Sequence, residues 1–172
     1  MQIKTKHFIL RPMKKSDAAD YAKYGSNKKI SRNMLRMPYP VTLAYAKNRI
    51  NKVQRESKKA KPSFYNLAIE IDKEFCGWIS INRIVWGHKA TIGYWLAEKH
   101  WGRGLMTQIV KITTNWGFKK FKLKRIEATV FSFNPASAKV LIKSGYKQEG
   151  FLRKNYLKGK KYLDAYLFAK VK

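Results

Sequence analysis

A short basic turn, KHWGRG at residues 99–104, has the residue types and spacing to bind an anion. Its two glycines let the backbone approach a ligand with no Cβ in the way. A predicted helix begins directly after it, so free backbone N–H groups and the positive end of the helix dipole meet at this turn. The arrangement favours a negatively charged group such as a pyrophosphate.

The turn lies between a predicted strand and a predicted helix. Residues 90–96 alternate in polarity around Ile92 and Leu96, as a strand does, whereas Leu105 to Trp116 repeat apolar side chains at helical spacing. Glycines before a helix are also common as plain turn residues. The strand, the helix and the flanking cations Lys99 and Arg103 favour a phosphate-bearing ligand over that alternative.

The chain is strongly basic: its 172 residues include 38 Lys and Arg but only 10 Asp and Glu, for a net charge of +28. Such a charge attracts coenzyme phosphates, RNA or an acidic membrane surface, and it repels polycations. The alternative is a lysine-rich proteome that uses Lys as a solvated surface residue. The length predicts a single domain over residues 1–172 with a substantial core.

Cysteine and histidine are scarce. The one cysteine, Cys76, excludes an internal disulfide, fits a reducing compartment and lies in an apolar run, so we expect it in the core. With only three histidines, no metal site is expected. No apolar run has the length of a membrane span, and residues 1–10 lack a signal-peptide core. These features predict a soluble, cytoplasmic protein.

Alternating patterns predict the strands of a largely antiparallel sheet, over residues 7–12, 64–71, 75–85, 125–131, 146–157 and 161–170. Helix starts are predicted at Ser16-Asp17, Thr42 and Asn134-Pro135, and the last of these helices stops at Gly145. Prolines exclude a regular helix over 33–40. The pattern shows no repeat or domain boundary and predicts one α+β unit.

The order of these motifs resembles the GNAT acetyltransferases, especially the RimJ/RimL-like branch. The matching stretches are Leu10-Arg11-Pro12, IGYWL at 92–96, WGRGL at 101–105, Asn134 to Tyr146, EGFLR at 149–153 and the late Gly159…Asp164 hairpin. The resemblance implies the acyl-CoA N-acyltransferase fold: about six or seven strands, splayed between strands 4 and 5, with about four flanking helices. It covers nearly the whole chain and is loosest over Asn27 to Pro62.

By this resemblance the ligand of the turn is acetyl-CoA, used as a co-substrate. The implied coenzyme-binding residues are Leu96, Lys99, His100, Trp101, Gly102, Arg103, Gly104, Leu105, Asn134 and Ser137. Lys99 stands where the family has Gln or Arg. The splay lets pantetheine pair with the backbone of Leu96.

Asn134 would hydrogen-bond the pantetheine arm, and Ser137 would lie near the coenzyme sulfur. Each also has a structural alternative. Asn at the N-cap followed by Pro135 favours a helix start with or without a ligand. Ser137, in the first turn, can hydrogen-bond its own backbone.

Acetyl transfer needs a free amine, stabilisation of the oxyanion and a proton for the leaving thiolate. The tyrosine that many GNATs use as the acid is replaced here by Leu141, and Ser137 is the substitute that the resemblance suggests. Glu127 is the first choice as a general base, although a cross-strand salt bridge with a lysine is the more frequent role for such a residue. Asp164 and a water chain without any carboxylate are the alternatives.

The leading interpretation is an N-acetyltransferase acting on a protein N-terminal α-amine, of the ribosomal-protein type. A second takes a small amine: an amino acid, an amino sugar or, less favoured by the charge, a polyamine. A third is an RNA- or ribosome-binding protein that uses basic, aromatic-rich segments such as residues 119–125. Tyr94, Trp95 and Trp101 could line an acceptor groove or belong to the core. The resemblance also allows a homodimer.

Overall fold

A computed structural model describes residues 2–172. Its strands are β1 (Ile3–Lys4), β2 (Ile9–Arg11), β3 (Phe64–Ile71), β4 (Glu74–Val85), β5 (Lys89–Leu96), β6 (Arg125–Phe131), β7 (Lys147–Lys158) and β8 (Lys161–Val171). Its helices are α1 (Ala18–Gly25), α2 (Lys28–Ser31), α3 (Leu43–Ser57), α4 (Leu105–Lys120) and α5 (Pro135–Lys143). Two 3-10 turns, Lys15–Asp17 and Glu98–His100, precede α1 and α4.

The strands form one mixed sheet in the order β1-β2-β3-β4-β5-β6-β8-β7. The pairs β1–β2, β2–β3, β3–β4, β6–β8 and β7–β8 are antiparallel, and β5–β6 is parallel. The predicted α+β fold is confirmed, but eight strands within residues 2–172 replace the predicted six or seven. Within the same described residues there are five α-helices rather than about four, because α2 is a short helix that the sequence pattern did not show.

The parallel pair β5–β6 is short. Its register joins Lys89–Thr91 to Arg125–Glu127, although β5 continues to Leu96 and β6 to Phe131. Pairing therefore ends at Thr91 and Glu127, before the segments 94–97 and 129–132, where the resemblance places the splay. Backbone beyond that point on β5 leads into the glycine turn.

Two compact units divide the described residues. The first runs to Asn82 and also takes Gly93–Leu105, and the second comprises Arg83–Ile92 and Met106–Lys172. Strands β4 and β5 contribute residues to both. The single domain over 1–172 therefore stays a prediction.

Each unit has its own buried side chains. In the first, α1 and α3 pack on the sheet through a cluster that includes Tyr21, Ile50, Phe75, Trp78 and Trp95. In the second, the fully buried large side chains include Ile109, Phe121, Leu123, Ile126 and Phe168. None of the helices within residues 2–172 is both long and apolar enough to cross a bilayer.

Local chemistry explains the main boundaries. The Thr42 hydroxyl accepts from the N–H of Tyr45 at 3.1 Å and so caps α3, as predicted. Asp72 and Lys73 link β3 to β4 with φ of 52° and 64°, the backbone twist that a two-residue hairpin requires.

Candidate functional site

The glycine turn, residues 99–104, overlaps the 3-10 turn Glu98–His100 and ends directly before Leu105, the first residue of α4. Gly102 and Gly104 have φ of 75° and 71°, a left-handed conformation that favours glycine. A Cβ built on either glycine would meet nothing within 4 Å. The glycines are therefore needed for backbone conformation, and the space above them is open to a ligand.

The backbone donors of the turn fall into two groups. The N–H of His100 donates to Ala97 O at 3.0 Å, and that of Trp101 donates to Glu98 O at 3.0 Å. By contrast, within residues 2–172 the N–H groups of 102–104 donate to no protein acceptor. These donors and the first turn of α4 are what an anion can use.

Lys99 is engaged within the first unit. Its ammonium pairs with the Glu74 carboxylate, donates to the Tyr24 hydroxyl at 2.8 Å and lies 4.6 Å from the centre of the Tyr24 ring. Hydrogen bonds from Lys99 lower the pKa of Glu74, and Glu74 raises the pKa of Lys99. The cation is thus held in place, with part of its charge offset, beside the turn.

His100 is buried, with both ring nitrogens in contact with protein groups. Nδ1 lies 3.3 Å from Arg103 Nη1, and Nε2 lies 3.3 Å from Cys76 Sγ. A guanidinium can only donate, so Nδ1 accepts and the ring proton is on Nε2. Burial lowers the pKa of His100 and raises the pKa of the Cys76 thiol to about 11. A neutral His100 therefore holds Arg103 beside the turn, and Cys76 is a core residue, as predicted.

Trp101 contacts the strand that leads into the turn. Its indole Nε1 donates to Leu96 O at 2.7 Å, while 43% of Trp101 remains exposed. Leu96 O thus has one partner already, and a carbonyl oxygen can accept two. Trp95 is instead a core residue, with its ring 5.6 Å from that of Tyr21 and 5.9 Å from that of Phe75. The partly buried Tyr94 is not in that cluster.

In the second unit, Asn134 and Ser137 begin α5. The N–H of Ser137 donates to Asn134 Oδ1 at 3.2 Å, and Pro135 follows the cap. This is the helix-start alternative, and it leaves the Asn134 Nδ2 without an acceptor within residues 2–172. The predicted coenzyme contacts of Asn134 and Ser137 stay predictions.

The carboxylates considered as bases are held by other groups. Glu127 Oε1 lies 2.6 Å from Arg125 Nε and 3.9 Å from Lys89 Nζ, which is the salt-bridge alternative. Asp164 Oδ1 accepts from the N–H of Lys154 at 2.7 Å and so holds the final hairpin. Each carboxylate therefore has a structural partner.

Sequence reasoning did not identify an aromatic group that precedes α5. The Phe131 ring lies 5.4 Å from that of Phe133 and 5.6 Å from that of Tyr156. The Tyr156 hydroxyl hydrogen-bonds that of Thr129. Tyr156 is on β7 and Thr129 is on β6, with β8 between them, so no local pattern could have shown the pair.

We compared the chain with family models and with known proteins. Residues 7–147 match the family model described as acetyltransferase (GNAT) domain. The chain is 31% identical over 158 residues to the probable N-acetyltransferase YjcK of Bacillus subtilis, covering 89% of this chain and 87% of that one.

Two relatives from Escherichia coli have names that state an acceptor. The ribosomal-protein-serine acetyltransferase is 33% identical over 101 residues, 58% of this chain and 56% of that one. The L-amino acid N-acetyltransferase AaaT is 29% identical over 147 residues, 81% of this chain and 83% of that one.

A solved structure shows the same fold. The structure of RimL, described as a ribosomal L7/L12 alpha-N-protein acetyltransferase in complex with coenzyme A, superposes with a TM-score of 0.89 at 19% identity. The match covers 99% of this chain and 98% of that one.

Proposed function

Because the chain belongs to the acetyltransferase (GNAT) family, we propose that it acetylates α-amines, in the first place the N-terminal amine of a protein of the ribosomal type. Acetyl-CoA is the co-substrate and supplies an activated thioester. The residues of the turn fit its diphosphate, since the N–H groups of 102–104 are free within residues 2–172 and both glycines are open.

Within this proposal, residues 99–105 hold the coenzyme in different ways. Gly102, Arg103, Gly104 and Leu105 supply backbone donors, whereas the side chains of Lys99 and His100 fix the turn. Trp101 and the Leu96 backbone border the pantetheine arm. Asn134 Nδ2 donates to that arm, and the Ser137 hydroxyl donates weakly to the leaving sulfur.

We choose the acceptor on one observation: the two carboxylates considered as general bases already contact other protein groups. Glu127 is paired with Arg125, and Asp164 accepts from a backbone N–H, which favours water as the group that takes the proton of the amine. An α-amine, with a pKa of ~8, is roughly one-quarter free base at pH 7.5, whereas a lysine amine, with a pKa of ~10.4, is only about 0.1% free. An α-amine is therefore the acceptor that this site can use.

Both protein N-termini and free amino acids carry an α-amine. The ribosomal-protein-serine acetyltransferase supports the first acceptor and AaaT supports the second. The net charge of +28 supports docking on an RNA-rich particle such as the ribosome. In the first unit, a groove of about 560 Å³ lined by Lys15, Arg55 and Lys58 is the surface we propose for that contact.

Thiol release from acetyl-CoA tests the proposal. Peptides with a free N-terminus are compared with the same peptides blocked at the N-terminus and carrying an internal lysine. We expect turnover of the free peptides and about 200-fold less with the blocked ones, in line with the fraction of free base. Equal turnover of both sets would overturn the choice of an α-amine acceptor.

A further inference from the structure

A row of polar side chains interrupts the apolar face of the sheet in the first unit. Asn66 on β3 lies opposite Ser80 on β4. The next same-face pair along these strands, Ala68 and Trp78, belongs to the core beneath α1 and α3. The polar pair therefore lies directly beside this largely apolar cluster, on the same face of the sheet.

Asn66 has no hydrogen-bond partner although it is deeply buried. It is 3% exposed, and within residues 2–172 neither its Oδ1 nor its Nδ2 has a partner. A buried polar group without partners destabilises the fold, and native proteins retain few of them. Such a residue at one end of an apolar face points to a ligand that completes its hydrogen bonds.

The buried Ser80 and the partly buried Asn82 lie beside Asn66, next to a glycine on the neighbouring strand. Asn82 Nδ2 donates to Ser80 Oγ at 2.6 Å, and Ser80 Oγ donates to Gly93 O at 3.2 Å. A Cβ built on Gly93 would lie 3.6 Å from Ser80 Oγ and 3.7 Å from Asn82 Nδ2. A larger side chain at 93 would therefore extend over this pair, and glycine leaves space there.

Arg49 of α3 brings a positive charge to the same face. Its guanidinium carbon lies 5.5 Å from the centre of the Phe64 ring and 6.0 Å from that of Trp78. Phe64 precedes Asn66 by two residues on the same face of β3, and Trp78 lies diagonally across on β4. Within residues 2–172, no carboxylate lies within 4 Å of this partly buried guanidinium.

We propose that Arg49 and Asn66 bind a carboxylate carried by the amine acceptor, an inference that rests on the acetyl transfer proposed above. The planar guanidinium suits a carboxylate, and the Asn66 Nδ2 supplies a further donor to it. The Asn66 Oδ1 then accepts from an N–H of the same acceptor. The carboxylate comes either from a free amino acid or from an acidic side chain near a protein N-terminus.

Paired acceptors test this preference and separate its two sources. One pair is a free amino acid and its carboxamide, and the other is a peptide beginning with Asp and the same peptide beginning with Asn. We expect about a tenfold higher kcat/KM for the acid member of at least one pair, the size of one charge-assisted hydrogen bond. The pair that shows the preference identifies the source.

Three variants test whether Arg49 and Asn66 cause the preference for the acid over the amide. Arg49→Met should bring the acid-to-amide ratio close to one, while Lys52→Met, which removes a charge from an exposed position of the same helix, should leave the ratio unchanged. Asn66→Leu should raise KM for the acid about tenfold and yet raise the urea midpoint of unfolding, because it removes two unsatisfied buried atoms. Acetyl-CoA affinity should be unchanged in all three.

The inference is overturned if Arg49→Met keeps the full ratio, or if Asn66→Leu lowers the urea midpoint and leaves KM unchanged. Calorimetric titration of the same pairs in the presence of CoA gives a readout that needs no turnover. Equal binding of acid and amide there also overturns it. Turnover of both members without preference would leave the proposed acetyl transfer intact, whereas absence of turnover with every amine counts against the proposed function.

Discussion

Side chains around the glycine turn are held by residues that lie far away in the sequence. Lys99 pairs with Glu74, and His100 contacts Cys76. The glycines and the Asn134 cap could be predicted, because turn and cap preferences are local. These partners could not be predicted, because they depend on how strands and loops come together.

Glu127 is expected to be dispensable for the chemical step. Its carboxylate is paired with Arg125 and Lys89, so Glu127→Gln should change kcat by less than about threefold, in line with the small value of a partly exposed ion pair. Glu149→Gln, which removes the other acidic partner of Arg125, is the matched control. Steady-state thiol release measures both, and a 100-fold loss confined to Glu127→Gln would restore it as the base.

His100 should make coenzyme binding sensitive to acid. Burial, with help from Lys99 and Arg103, lowers its pKa, while Asp72 and Glu74 oppose that shift. The folded-state pKa is thus below the unfolded value near ~6.5, so the stability it contributes is complete above that pH and is lost as pH falls below it. Protonation also places a proton on Nδ1 against the Arg103 guanidinium.

Thermal unfolding and acetyl-CoA titration between pH 5 and 8 check this expectation. The native protein should lose stability and affinity below about pH 6.5, and His100→Asn should flatten both profiles. His7→Asn, at an exposed position, is the control and should leave them unchanged. Profiles that are identical in His100→Asn and the native protein would contradict the role given to this ring.

At the level of elements, the strands with a strong alternating pattern were predicted well, whereas the shortest elements were not predicted. The boundaries of β3 and β6, Phe64–Ile71 and Arg125–Phe131, match the predictions to the residue. β1 has only two residues and is defined by pairing with β2, and α2 has four residues and depends on its Asn27 cap. Neither is long enough to show a period, so tertiary pairing alone reveals them.

Gly77 controls the close approach of β4 to the strand before the turn. Its φ is 149°, and a Cβ there would lie 2.2 Å from Trp95 O. Gly77→Ala should destabilise the fold by about 3 kcal/mol and weaken acetyl-CoA binding, since backbone atoms would have to move. Gly150→Ala, where a Cβ meets nothing within 4 Å, should cost far less. Urea unfolding compares the two, and equal costs would contradict this account.

Over the whole molecule, the 38 Lys and Arg side chains far outnumber the 10 carboxylates that could pair with them. The charge of +28 could be read from the sequence, but the groove that we propose for RNA contact could not. The groove lined by Lys15, Arg55 and Lys58 also presents the amides of Asn48 and Asn51 and lacks aromatic side chains. Cations and amides without rings suit contacts to phosphates and sugars rather than stacking on bases.

Charge reversal in this groove should weaken RNA binding without affecting acetyl transfer to a peptide. Fluorescence anisotropy with duplex RNA over a salt series should show a steep slope, reduced by about one unit for each phosphate that the variant no longer neutralises. The triple variant Lys15→Glu, Arg55→Glu, Lys58→Glu is compared with Lys119→Glu, Lys120→Glu, Lys124→Glu, which carries the same charge change. Weaker RNA binding in the second variant alone would favour residues 119–125 as the RNA-binding segment.

Calorimetric titration of acetyl-CoA against glycine variants tests the central claim most directly, that backbone donors at the start of α4 bind the coenzyme diphosphate. Gly102→Glu and Gly104→Glu place a carboxylate in the open space of the turn and should reduce affinity at least about 100-fold. Gly87→Glu is matched, with φ of 76° and the same open space, and should bind as the native protein does. Undiminished acetyl-CoA affinity in Gly102→Glu and Gly104→Glu would contradict the account.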